Sequence, residues 1–201
     1  EPMLVRFHGG KLHVAVAERP YYGAPSARVG VGVYELNASG DWAFEHAVLS
    51  EDLGGRRLHD FVVDDNTVVL STTAYGQQGI ACVLRHQGTD HDYVLEQVIQ
   101  PSVYTNKIRC VLDGDTLFLA WASSTHRLAA NTYIESPGSL SRYARQADGS
   151  WLLNSEYSVT GNNGNIGALL FKRGDDIIVS KGSGLGLAFP LTGNLAAGPT
   201  K

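Results

Sequence analysis

The sequence predicts an all-β fold, and three observations predict it. Glycine is abundant, at 23 residues, and short runs of Val, Ile, Leu and Tyr alternate with clusters of Gly, Asp, Asn and Ser. That is the pattern of many short strands joined by turns. No stretch carries sustained 3.6-residue periodicity, so helix content is expected to be very low. The third observation is repetition: four segments of the chain share one design.

The first element of that design is a strand that turns tightly and re-enters as a second strand. It runs from Leu4 to Val16 and recurs from Asp60 to Thr72, from Arg109 to Trp121 and from Leu169 to Lys181. Aligned on the turn, Leu12, Val68, Leu117 and Ile177 coincide, as do the small residues Ala15, Ser71, Ala120 and Ser180 three positions later. A small side chain at one register in every copy marks where strands crowd, close to a central axis. Gly, Asp and Asn in the turns supply the positive φ that a two-residue hairpin requires. A third strand starts at a glycine in each copy: Gly30 to Glu35, Gly79 to Leu84, Gly138 to Tyr143 and Gly184 to Phe189. A fourth begins with a large aromatic after a polar turn, running from Trp42 to Leu49, Tyr93 to Ile99 and Trp151 to Val159, and the last copy has none.

The unit is therefore strand, hairpin, strand, long loop, strand, hairpin, strand, with a spacing of about 47 to 60 residues. One such sheet cannot bury both faces, so the units must stack. Four-stranded repeats of this length are the blades of a β-propeller. The expected architecture is a single domain of four roughly four-stranded blades, spanning about residues 1–50, 51–100, 101–160 and 161–201. The segment from Thr192 to Lys201 is polar and Gly-rich, a poor substitute for the missing strand. Either residues before Glu1 supply that strand, or the last blade is three-stranded.

The pattern resembles the FG-GAP (integrin α-type) propeller repeat. Asp113-Gly114-Asp115-Thr116-Leu117 and the run Gly138 to Tyr143 match its motifs. Ile166-Gly167 stands where Phe-Gly would be, and Trp42 and Trp151 match the closing-strand aromatic. The family's calcium loop is absent between the second and third strands, so calcium is not carried over and no cofactor is expected.

Composition narrows the function classes. Net charge is −4 and the 16 Lys and Arg residues are scattered, which argues against nucleic-acid binding. No apolar stretch is long enough for a membrane span. The chain starts at Glu1 without a methionine and shows no signal peptide. A removed leader and a trimmed terminus both leave such a start, and the reading favours a secreted or periplasmic location over the cytoplasm. Cys82 and Cys110 lie in apolar runs and read as buried thiols rather than a disulfide.

Two sides follow from the alternating strand directions. One carries the short first-to-second and third-to-fourth hairpins. The other carries the long connections, including Ala17 to Val29, Ser50 to Leu58, Thr73 to Gly79, Gln100 to Lys107 and Ala122 to Gly138. Long loops on a rigid scaffold are where binding usually sits. Tyr21, Tyr22, Tyr75, Tyr104 and Tyr133 gather there, five of the nine tyrosines, with Arg19, Arg56, Arg57, His126 and Arg127. Tyr with Arg is the composition of an interface hot spot, although tyrosines that merely cap neighbouring blades would look the same. The expected function is a non-catalytic module recognising a partner protein through this side, in an inhibitor, immunity-type or adhesion role. A glycan-binding lectin is the alternative, against which the unequal loops count.

Candidate chemistry is weaker. His59-Asp60 has no nucleophile elbow beside it, so no enzyme is expected; an axial active site built on His59 and Arg109 is the third reading. His86, Asp90, His91 and Asp92 form a cluster that could hold a divalent metal but reads as a solvated turn. Asp64, Asp65, Asp113, Asp115, Asp175 and Asp176 are explained by turn formation. Gly182 to Gly186 lacks the Lys-Ser/Thr and the helix of a phosphate loop.

Overall fold

The computed structural model describes residues 4–17, 29–49, 56–74, 78–87, 93–101, 105, 107–122, 124–129, 132–158, 166–181 and 185–200. Among them the chain is all-β, apart from one 3-10 turn at Leu195–Ala197. No helix of the described residues is long and apolar enough to cross a membrane.

Four antiparallel sheets follow one another, one for each predicted repeat, consistent with the blades of a small β-propeller. Blade one is β1 (Val5–His8), β2 (Lys11–Ala17), β3 (Val29–Leu36) and β4 (Trp42–Leu49). Blade two is β5 (Arg56–Asp64), β6 (Thr67–Ala74), β7 (Gly79–His86) and β8 (Tyr93–Ile99). Blade three begins with β9 (Ile108–Asp113) and β10 (Thr116–Trp121). The chain then forms a separate hairpin, β11 (Ser124–Ala129) with β12 (Thr132–Ser136). It completes the blade with β13 (Ser139–Arg145) and β14 (Trp151–Ser158). Blade four is three-stranded: β15 (Ile166–Arg173), β16 (Asp176–Lys181) and β17 (Leu185–Pro190). Each blade is a meander: the two-residue hairpins return the chain antiparallel, and the long second-to-third connections also bring it back beside the strand it left.

The chain divides into two compact units, Glu1–Gln77 with Ala81–Ile99, and Gln78–Ile80 with Gln100–Lys201. In the first, the core is built from alternate residues of blade one, such as Val29, Val31 and Val33, and from nearly continuous apolar runs in blade two, Val68–Leu70 and Ala81–Leu84. In the second, Phe118, Ala120, Leu140, Ile166, Leu170, Ile177, Val179 and Phe189 form one buried cluster. Cys82 and Cys110 are both buried in strands and are not disulfide-bonded.

The C-terminal segment forms no fourth strand, yet it is not idle. Leu195 is buried in the second unit's cluster. Asn194 caps the 3-10 turn through its side-chain oxygen, which accepts from the Ala196 N–H. The Thr200 N–H donates to the Ala188 carbonyl at 2.8 Å, and Arg142 donates to the Gly193 carbonyl at 2.6 Å. A Gly-rich tail thus contributes one apolar plug and several backbone anchors.

The small residues at the shared register have a more specific cause than crowding. The first hairpin is regular in blades one and three, where the residue is Ala15 or Ala120. In blades two and four the first strand carries a bulge, and there the residue is Ser71 or Ser180. A bulge takes backbone groups out of the ladder. The Ser71 hydroxyl donates to the Asp60 carbonyl at 2.9 Å, and the Ser180 hydroxyl accepts the Leu169 N–H at 2.8 Å. The hydroxyl stands in for the ladder where the ladder is broken.

Candidate functional site

Half of the expected binding residues fall outside what is described. Arg19, Tyr21, Tyr22, Tyr75 and Tyr104 lie outside the described residues. Two loop boundaries need correction. Arg56 and Arg57 open strand β5, opposite Ala74 and Thr73, instead of ending a loop. His126, Arg127 and Tyr133 belong to the hairpin β11–β12, whose ladder pairs Arg127 with Tyr133 and His126 with Ile134. The stretch from Ala122 to Gly138 is therefore an ordered insertion for most of its length. β10 and β13 pair with each other from Trp121 opposite Ser139 onward, so the blade is complete without it.

A second locus lies on the opposite, short-hairpin side of the first unit. The chain turns at Gly9-Gly10 with φ of 57° and 76°, values that glycine reaches at no steric cost. This turn pairs His8 with Lys11 and Arg6 with His13, so all four point to the same side of the hairpin. His13 also pairs with Val33, and Val33 with His46, which brings His46 to that side as well. From blade two the β5–β6 turn delivers Asp64 and Asp65, and the β7–β8 hairpin delivers His86 paired with Tyr93. Apart from Arg6, these residues line a cavity of about 300 Å³, the lower end of the range for small-ligand sites.

The cavity is unusually rich in imidazole. His8 Nε2 lies 2.9 Å from Asp65 Oδ1 and 3.9 Å from Asp64 Oδ1. The three donor atoms all lie within 4.8 Å of one another. Asp64 also takes the Asp65 N–H at 2.8 Å, the turn role expected of it. Tyr93 sits between two imidazoles, stacked on His46 with ring centroids 6.4 Å apart and tilted against His86 at 5.2 Å. Lys11 Nζ donates to both oxygens of Glu45, at 2.8 and 2.7 Å.

His13 is the anomaly. It is 6 % exposed, and its Nδ1 is buried without a hydrogen-bond partner. Leaving a buried polar atom unpaired costs about 1–3 kcal/mol, so such an atom asks for an explanation. Burial, then the neighbouring His8, push its pKa below the ordinary imidazole value, with Lys11 adding to the effect; a backbone hydrogen bond at Lys11 and the Glu45 carboxylate oppose them. Burial likewise pushes the Tyr93 phenol up.

Other candidates resolve differently. Asp60 is buried and holds the Arg6 guanidinium at 2.9 Å, a structural tie between blades one and two. Arg109 donates to the Ala168 carbonyl at 3.2 Å. Asp90, His91 and Asp92 lie outside the described residues, as does most of the glycine run at 182–184. Reading along the chain groups His86 with those neighbours; the fold groups it with His8, His13 and His46 instead. A sequence signal exists: six of the seven histidines fall within the first 91 residues.

No protein-family pattern matches the chain, and no curated protein matches it. Among solved structures, the chain is similar to an exo-1,5-alpha-L-arabinanase from a bovine ruminal metagenomic library. The identity is 11 %, the TM-score 0.42, and the likeness covers 94 % of this chain and 67 % of the other. At that level it assigns no activity here. The protein it resembles is nevertheless an enzyme, which corrects the expectation that this chain is not one: the exclusion of catalysis is withdrawn.

Proposed function

We propose that the chain is a recognition module that holds a partner protein on the long-connection side of its blades. The observation that supports this best is the hairpin β11–β12. Among the described residues it pairs only with itself, and it interrupts a blade whose ladder closes without it. A lone two-stranded hairpin is marginally stable in water, so blade stability does not account for its presence. Contact with a partner does, and the hairpin carries Arg127 and Tyr133 at paired positions, residue types that dominate interface energetics. Arg56 and Arg57 at the start of β5 belong to the same side of their blade. An inhibitor, immunity-type or adhesion role fits such a module.

The test is affinity capture from the native host with two baits, the wild-type chain and a variant whose residues 123–137 are replaced by a short Gly-Ser link. The expected result is one dominant protein captured by the wild type and lost with the variant, while circular dichroism shows unchanged β content. Capture that survives the deletion places recognition elsewhere.

A further inference from the structure

The hydrogen bond from His8 to Asp65 explains two residues of the short-hairpin cavity and leaves two facts over. A second carboxylate, Asp64, stands 3.9 Å from the same imidazole nitrogen. His13, on the same side of the β1–β2 hairpin and lining the same cavity, buries an unpartnered Nδ1. Two adjacent carboxylates beside one imidazole gather negative charge that a cation would relieve. His13 lines the same cavity, and a neutral imidazole carries one nitrogen lone pair that a metal can take.

The spacing fits a metal ion. Tetrahedral zinc with bonds of about 2.0–2.2 Å places neighbouring donor atoms about 3.3–3.6 Å apart. The His8–Asp65 and His8–Asp64 separations, 2.9 and 3.9 Å, bracket that range. Imidazole donors favour zinc, copper or nickel over calcium and magnesium, which take oxygen ligands. Lys11 also faces the cavity, but its ammonium is held by both Glu45 oxygens and so drawn away from the two aspartates. We propose that blades one and two hold a divalent transition-metal ion, Zn²⁺ in the first place, on His8, Asp64 and Asp65, whose donor atoms already lie within 4.8 Å of one another, with His13 of the same cavity moving in as the fourth donor. The site is independent of the partner-binding side.

The experiment uses the full chain stripped with a chelator and titrated with Zn²⁺ by calorimetry, and with Co²⁺ as an optical probe of tetrahedral coordination. One saturable equivalent and a visible Co²⁺ band are expected. Asp65 is 84 % exposed, so Asp65→Asn should fold normally and still weaken Zn²⁺ binding by more than about tenfold, since loss of even an outer partner of a ligand costs that much. His13→Gln should weaken binding and alter the Co²⁺ band. Asp175→Asn, in the matching turn of blade four, should change nothing. Absence of saturable binding to the wild type overturns the site, and so does undiminished binding by folded Asp65→Asn. If His8→Gln fails to fold, Asp65→Asn decides alone.

Discussion

Trp42 and Trp151 occupy the same place in two copies of one repeat, each opening the fourth strand after a polar turn. The turns themselves are alike. In blade one Asn37 Oδ1 accepts the N–H groups of Ser39 and Asp41, and in blade three Asp148 accepts the Ser150 N–H and hydroxyl. The two indoles nevertheless end in different surroundings. Trp151 is 2 % exposed, whereas Trp42 is 41 % exposed and rests edge-on against Phe7, itself 67 % exposed, with ring centroids 6.2 Å apart. Val5, Leu36 and Phe44 are exposed as well, and all five share one side of blade one through the pairings of Phe7 with Leu12, Leu12 with Tyr34, and Leu36 with Trp42. The opposite side of the same blade carries the buried valines, His13 and the cavity. Blade one thus turns its histidine-bearing side toward blade two, while the second unit concentrates aromatic and aliphatic bulk in its core. Equal local sequence fixes the strand and its turn. What covers the side chain is decided elsewhere.

The sharpest way to break this comparison is truncation of both indoles. Trp151→Ala should cost about 3–5 kcal/mol in chemical denaturation, the usual range for a buried tryptophan. Trp42→Ala should cost under about 2 kcal/mol, because much of its surface is already in water. Equal losses would mean that the two environments do not differ.

A pair of glycines sharpens it. Gly167 has φ of 92°, and a Cβ there would come within 3.2 Å of the Ala122 backbone. Gly167→Ala should therefore cost about 1–3 kcal/mol, combining an unfavourable backbone conformation with a clash that cannot rotate away. In the first unit a Cβ on Gly32 meets only side-chain atoms, of Val16, Tyr34 and Phe44, so Gly32→Ala should cost about 1 kcal/mol or less. Thermal unfolding of the two variants separates them.

The bulge-serving hydroxyls come next. Ser71→Ala should lose about 1 kcal/mol with its hydrogen bond to the Asp60 carbonyl. At the matching register of blade three, Ala120 has a regular ladder and no vacancy for a hydroxyl. Ala120→Ser should also destabilise rather than gain. A neutral Ser71→Ala would remove the link between serine and bulge.

The last test is a pH dependence that Tyr143 carries in the second unit. Burial, then the Glu156 carboxylate, push the Tyr143 phenol up to about 12, against a hydrogen bond with Ser141. Above the ordinary value of 10.0 the unfolded chain loses this proton while the folded chain keeps it. The contribution is complete below pH 10 and is lost as pH rises through about 12. Denaturation midpoints between those limits should fall more steeply for the wild type than for Tyr143→Phe.

Much of this architecture was legible in the chain. The two-residue turns announce themselves by Gly9-Gly10 and Gly114-Asp115, and the aromatic that opens the fourth strand locates Trp42, Tyr93 and Trp151 at the first residues of β4, β8 and β14. Even the shared orientation of His8 and His13 follows from a hairpin that turns at Gly9-Gly10. The hairpin β11–β12 was not legible, because its residues lack the alternating apolar pattern of a strand buried on one side. The β5 boundary was missed because Arg56 and Arg57 read as loop residues, although edge strands tolerate charge.

By itself the sequence determined the four repeated sheets, their antiparallel order and the three strands of the last one. These depend on turn chemistry and on period-two patterning, which are local. Only the tertiary structure decided that His8, His13 and His46 share a cavity with Asp64, Asp65 and His86, and that one repeat aromatic is buried while its counterpart is exposed. Those outcomes depend on which blade face meets which, and residues far apart in the chain meet only when ladder register and blade packing bring them together.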